Sequence, residues 1–172
     1  PLKGAVLYAL DVPDVGGDTA WVNLYAAYEL LSKPMQKLCS GLTAIHDNFH
    51  KNLTAVLETY GAKGYEMARK ATPPGEHALV CRHPETGKKC LFYSELLISH
   101  FKELTDEENK TLKEFLQPHI QKPELYCRFK WENNSIAFWD NRCTAHKGIF
   151  DFGQAHRLMH RVAIQGATAP SK

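Results

Sequence analysis

The sequence predicts a mainly β protein with helical insertions, a sandwich or jelly roll. Three observations point there. Short apolar runs bounded by turn residues recur along the chain. Residues 125–131 alternate apolar with polar side chains, as a strand with one buried face does. Helical spacing is confined to a few separate stretches between the strands.

The first strand is expected over Ala5–Leu10, an apolar run that stops at the turn-rich DVPDVGGD. Thr19–Val22 forms a short second strand. From Asn23 the pattern turns helical: Leu24, Tyr25, Tyr28 and Leu31, then Met35 and Leu38, with Pro34 opening a second helix and Gly41 closing it. LTAIHD is a further short strand. Residues 48–74, ending in TPPGE, read as a helical or mobile insertion. Leu79–Arg82 and Cys90–Tyr93 form a hairpin through HPETGKK. Thr105 opens the clearest helix, with TDEE as a capping box and Leu112, Phe115 and Leu116 on one face. The last strands are Leu125–Trp131, Ile136–Asp140 and Arg157–Gln165.

The totals exclude several classes. Twenty-one basic against 19 acidic residues give +2 with no basic block, so neither nucleic acid nor an anionic membrane is expected as partner. No apolar run approaches membrane-spanning length. The five cysteines (39, 81, 90, 127 and 143) are odd in number and without repeating spacing, which predicts reduced thiols and a cytoplasmic location. A zinc site is disfavoured because Cys81, His83 and Cys90 lack a paired second half.

The charged stretch WDNRCTAHKGIFDFGQAHRLMHRV, residues 139–162, carries the chemistry. In an extended strand Arg157, Met159, Arg161 and Ala163 share one face, and Leu158, His160, Val162 and Ile164 share the other. The apolar set is expected to pack on the core. The two arginines then either face water along an edge strand or line a barrel interior. In the second case they are about 13 Å apart and can grip two anions through planar, bidentate guanidinium groups. His146, expected in a loop after a strand, is a candidate metal ligand or general base, or an ordinary structural histidine.

These residues together resemble a known pattern. WDNRCTAHKGIFDFGQAHRLMHRVAIQG is similar to the C-terminal signature of the taurine dioxygenase (TauD/TfdA-like) family of Fe(II)- and 2-oxoglutarate-dependent dioxygenases. DVPDVGGDTAWVNLYAAYELLS, GLTAIHD, HPETGKKCLF and KPELYCRFKWENNSIAFWDNR resemble family segments in family order. The resemblance implies a jelly-roll, double-stranded β-helix (cupin-like) fold. It implies an iron centre held by two histidines and a carboxylate, at which 2-oxoglutarate and dioxygen are consumed and a substrate is hydroxylated.

By position, His146 matches an iron ligand, Arg157 and Thr19 match the residues that hold the far carboxylate of 2-oxoglutarate, and Arg161 matches the arginine that holds an anionic substrate. A sulfonate such as taurine is the first choice of substrate, ahead of a sulfate ester or a carboxylate. Ser94 departs from the asparagine usual in relatives, and Leu97 from a pocket phenylalanine of the sulfonate enzyme.

The family's His-X-Asp motif is absent. The one His-X-Glu, His83–Glu85, falls in the hairpin turn. Residues 1–172 are therefore expected to be the C-terminal portion of one catalytic domain, apparently lacking its N-terminal strands. A further N-terminal segment or a homo-oligomer would supply the rest. The alternative is a non-catalytic anion-binding homologue of the same fold.

Overall fold

The computed structural model describes residues 2–51 and 53–166; residues 1, 52 and 167–172 lie outside the described set. In chain order the elements are β1 (Leu2–Asp11), β2 (Thr19–Asn23), α1 (Leu24–Glu29), α2 (Lys33–Ser40), β3 (Thr43–His46), α3 (Leu53–Ala71), β4 (Gly75–Ala78) and β5 (Val80–Arg82). They continue with β6 (Lys89–Leu91), β7 (Ile98–Phe101), α4 (Asp106–Ile120), β8 (Tyr126–Phe129), β9 (Ile136–Asp140), β10 (Thr144–Gly148) and β11 (Leu158–Gln165). The strands form antiparallel sheets ordered β11-β1-β9, β10-β2-β8 and β4-β3-β7, with the hairpin β5-β6 beside them. Helices occupy nearly as much of the chain as strands, so the fold is mixed α/β with several antiparallel sheets rather than mainly β. That pattern is consistent with a cupin-like jelly roll.

Local chemistry sets the helix boundaries. Asn23 caps α1, its Oδ1 accepting from the backbone N–H groups of Tyr25 and Ala26 at 3.0 and 3.1 Å. Ser32 caps α2, with Pro34 in the first turn and Gly41 at the end. The capping box at Thr105 is present: Thr105 N–H donates to Glu108 Oε2 at 2.9 Å, and Thr105 Oγ1 accepts from Glu108 N–H. The insertion at 48–74 is largely α3, kinked at Gly61 (φ +67°) and without a buried residue.

The core lies between α1, α4 and the β4-β3-β7 sheet, where Leu31, Tyr93, Phe101, Leu112, Leu116 and Ile120 pack together. A second cluster of Leu24, Ala78, Cys81 and Cys90 holds Ala145 of β10 against it. All five cysteines are free thiols.

Three expectations about the C-terminal strands are corrected. Arg157 precedes β11 instead of opening it. His146 sits inside a strand, β10, not in a loop. The apolar face of β11 does not pack on the core: Leu158 and Val162 are 47% and 62% exposed. Their cross-strand neighbours Val6, Tyr8, Ile136 and Phe138 share that face, with Ile136 and Phe138 at 64% and 70%. The pleat alternates as expected, but the other side of this sheet is the one turned inward.

Asn109 fastens α4 to β7 from a buried position. Its Oδ1 accepts from Phe101 N–H at 2.6 Å, and its Nδ2 donates to the carbonyls of Phe101, Leu104 and Thr105. Asn109→Ala would leave a buried donor and buried acceptors without partners, a loss of about 2–4 kcal/mol. Thr105→Ala loses only a cap, about 1 kcal/mol. Urea denaturation of both variants should rank them in that order.

Candidate functional site

The site is built where the β11-β1-β9 and β10-β2-β8 sheets face each other. Register fixes which side chains point inward. In the second sheet His146 lies opposite Trp21 and Gly148 opposite Thr19, while Thr19 also lies opposite Phe129. Cross-strand partners share a face, so Thr19, Trp21, Phe129 and His146 project together. Ala145 turns the other way into the second core cluster, which locks this register, since a one-residue slip would bury His146 and expel Ala145. In the first sheet Trp139 and Ala5 are paired, as are Arg161 and Leu7, on one face. The fully buried Ala5 leaves room on that face beside Trp139.

Trp139 joins the two sheets. Its ring lies 4.9 Å from that of His146 and 5.2 Å from that of Trp21, centroid to centroid. Phe129 and Trp131 continue the cluster, with their rings 4.9 Å apart. His146 keeps one side open. Packing around the ring and the nearby Arg161 charge both push its pKa below the ordinary value, so it is a neutral imidazole at neutral pH. A neutral imidazole is the form that ligates metals.

Thr19 is buried and its Oγ1 accepts from Trp131 Nε1 at 3.0 Å, which leaves the threonine proton free to donate elsewhere. Arg157 is anchored by its Nε, which donates to the Gly17 carbonyl at 3.2 Å, and its guanidinium lies 5.9 Å from the centre of the Phe152 ring. Burial lowers its pKa, though far too little to discharge an arginine. Its two Nη groups have no partner among the described residues. Arg161 has no hydrogen bond or ion pair there either.

The loop that carries Gly17 is held by Arg128, which donates to Asp18 at 2.5 Å and to Asp151 at 3.1 Å, while Gly17 N–H donates to Asp151 at 2.8 Å. Gly17 has φ +73°, and a Cβ there would come within 3.2 Å of Arg157 Cδ and Nε. The glycine thus makes the space in which Arg157 lies. Sequence reading took this glycine only as a turn signal, and missed the tryptophans as the wall of the site.

The sequence-selected Thr19, His146 and Arg161 are brought to facing sheets, and Arg157 is placed at their edge through Gly17. No group of three potential metal ligands among the described residues includes His146. The one group of three potential ligands there is His83, Asp140 and Cys143, and its donors are already committed. His83 Nδ1 accepts from the backbone N–H groups of Glu85 and Thr86, so the ring proton is on Nε2 and is donated to Asp140 Oδ2 at 3.0 Å. Arg142 Nε donates to Asp140 Oδ1 at 2.8 Å and its Nη2 to Oδ2 at 2.5 Å, while Nη1 reaches Glu85 at 3.1 Å. This cluster ties the β5-β6 hairpin to the β9-β10 turn, and a His-Asp-Cys set is not the two-histidine, one-carboxylate set the resemblance implied. The described residues do not by themselves show the complete iron site the resemblance implied.

Burial alone would raise the Asp140 pKa, but hydrogen bonds from Arg142 and His83 outweigh it and hold the carboxyl well below the usual aspartate range. A depressed folded pKa contributes stability that is complete above the unfolded value of about 3.9 and is lost as pH falls below it. Asp140→Asn should therefore flatten the fall in thermal stability between neutral pH and pH 3, measured as Tm against pH. Gly17→Ala should cost about 1–2 kcal/mol from its positive φ and the Arg157 contact, read by chemical denaturation.

Residues 1–163 match the family model described as taurine catabolism dioxygenase TauD, TfdA family. An alkylsulfatase of Acinetobacter baylyi is 31% identical over 95% of this chain and 52% of its own length. An alpha-ketoglutarate-dependent sulfate ester dioxygenase of Pseudomonas putida is 32% identical over 95% of this chain and 55% of its own. The crystal structure of a taurine dioxygenase from Burkholderia xenovorans superposes with a TM-score of 0.82 at 33% identity, covering 99% of this chain and 54% of that one. The chain thus spans about half the length of the curated relatives it matches. It belongs to the TauD, TfdA family of dioxygenases.

Proposed function

We propose that residues 1–172 form the C-terminal portion of the catalytic domain of an Fe(II)- and 2-oxoglutarate-dependent dioxygenase that hydroxylates a small anionic substrate. The observation that carries this reading is the pair of unpaired guanidinium groups, Arg157 and Arg161, around the neutral imidazole of His146. The half-buried Arg157 without a counter-charge favours an anion beside it, and the exposed Arg161 has a guanidinium free to take a second. Arg157, with Nε spent on Gly17 and both Nη groups free, takes one end of a dicarboxylate, and the Thr19 hydroxyl donates to the same group. That suits the far carboxylate of 2-oxoglutarate. Arg161, across from His146, takes the anionic head of the substrate. His146 supplies one iron ligand, and the other two come from outside the described residues. No helix among those residues is long and apolar enough to cross a membrane. A cytoplasmic location fits the five free thiols.

A sulfonate is the proposed substrate class, with a sulfate ester next, because a tetrahedral sulfur oxyanion presents several acceptors to one guanidinium. The names of two relatives, taurine dioxygenase and sulfate ester dioxygenase, fit these two classes without separating them.

A second reading is favoured by the single ligand at His146: a non-catalytic anion-binding homologue that keeps the two arginines alone. Titration calorimetry with 2-oxoglutarate and with taurine tests the anion sites. Arg157→Ala should weaken 2-oxoglutarate at least tenfold and Arg161→Ala should weaken taurine at least tenfold, each losing charge-assisted bonds of about 1.5–3 kcal/mol. No effect of Arg157→Ala on 2-oxoglutarate would sink the assignment. Succinate release with Fe(II), 2-oxoglutarate and taurine, measured with the remaining iron ligands supplied, supports the oxygenase; anion binding without iron binding in that same protein supports the second reading.

A further inference from the structure

Two glycines and one aspartate decide where the Arg157 guanidinium lies. Gly16 and Gly17 are consecutive and both left-handed, with φ +82° and +73°. Two such residues in a row turn the chain sharply, and glycine reaches that conformation without steric cost. The same freedom leaves a Gly-Gly pair with nothing of its own to hold it there. It is held by Asp151, from the loop between β10 and β11. Asp151 Oδ1 accepts from Gly17 N–H at 2.8 Å, and its Oδ2 accepts from Arg128 Nη2 at 3.1 Å. The turn closes tightly around this side chain: a Cβ on Gly16 would come within 2.8 Å of Asp151 Oδ1 and 2.9 Å of its carbonyl oxygen.

Gly17 passes this constraint on. Its N–H goes to Asp151 and its carbonyl accepts from Arg157 Nε at 3.2 Å, so one buried residue links an acid to an arginine. Phe152, next to Asp151 in sequence, flanks the same arginine, with its ring centre 5.9 Å from the guanidinium. The two loops also meet through backbone, since Ile149 N–H donates to the Asp18 carbonyl at 2.9 Å. The bond from Gly17 N–H holds the Asp151 carboxyl below the usual aspartate range, so it is ionised at neutral pH. This charge does not pair with Arg157. Each of its oxygens already has a donor, and Arg128 supplies the counter-charge. The acid orders the arginine without neutralising it.

We infer that Asp151 is a positioning residue for the Arg157 anion site: by fixing the Gly16–Gly17 turn it sets the guanidinium in place to grip a carboxylate. The inference rests on the assignment of Arg157 to 2-oxoglutarate. Without Asp151 the ligand itself would have to order the glycine turn and the arginine, and that ordering comes off the affinity. Arg161 does not depend on the turn. It stands inside β11, opposite Leu7 of β1, and the strand ladder holds it.

The test compares Asp151→Ala with Asp151→Asn. Asparagine keeps an acceptor for Gly17 N–H and gives up only the charge toward Arg128, which retains Asp18. In the ligand-free chain, ¹H–¹⁵N spectra report the Gly17 amide and the Arg157 Nε–H. Asp151→Ala should speed exchange of both with water about tenfold, and Asp151→Asn should leave both near the parent. By calorimetry, Asp151→Ala should weaken 2-oxoglutarate about tenfold with taurine unchanged, and Asp151→Asn should weaken it less than about twofold. A general loss of structure would instead weaken both anions together, without rescue by asparagine. An Arg157 Nε–H unmoved by Asp151→Ala would overturn the inference, and so would equal losses for the two anions. If the parent binds no 2-oxoglutarate, the assignment of Arg157 fails, while the exchange measurement still decides whether Asp151 positions it.

Discussion

The packing of Trp139 between the two facing sheets is the contact on which the candidate site depends. Its ring reaches both His146 and Trp21, so one side chain sets the spacing between a sheet that carries Arg161 and a sheet that carries Thr19 and His146. Aromatic edge-to-face contacts of this kind bury large area in a defined geometry. The small side chain of Ala5, its cross-strand partner, is part of the same constraint: a larger residue there would crowd Trp139.

Around that contact the charges are divided into two kinds. Arg142 and Arg128 are satisfied by carboxylates: Arg142 by Asp140 and Glu85, Arg128 by Asp18 and Asp151. They brace the β9-β10 turn and the glycine loop respectively. Arg157 and Arg161 have no such counter-ions. The same residue type is structural where an acid meets it and available for a ligand where none does, and this division, rather than the number of arginines, sets Arg157 and Arg161 apart.

The helical side of the molecule is organised differently. There the core between α1, α4 and the β4-β3-β7 sheet is apolar and closed, with Asn109 and His119 as buried polar fasteners, His119 lying 2.8 Å from the Ala27 carbonyl. Only α3 stands apart from it, with a kink at Gly61 and no buried residue. A helix so lightly held is the element with least to lose from moving, because few contacts oppose local opening.

The residues themselves determined much of this. The capping box at Thr105, the turn chemistry of DVPDVGGD and the alternation of the later strands act over a few neighbours, so their outcome is written in local order. The chemistry-bearing residue types, His146, Arg157 and Arg161, also stand in one stretch of sequence. What tertiary structure alone decided is how they face. Gly17 meets Arg157 across 140 residues, Thr19 meets Trp131 across 112, and His83 meets Asp140 across 57; no periodicity encodes such pairings. The inward face of β11 was misjudged because apolarity names a face that can be buried, whereas the sheet opposite it decides which face is. His146 likewise became a strand residue because β2 offers it a partner and the second core cluster takes Ala145, two facts that lie outside its own segment.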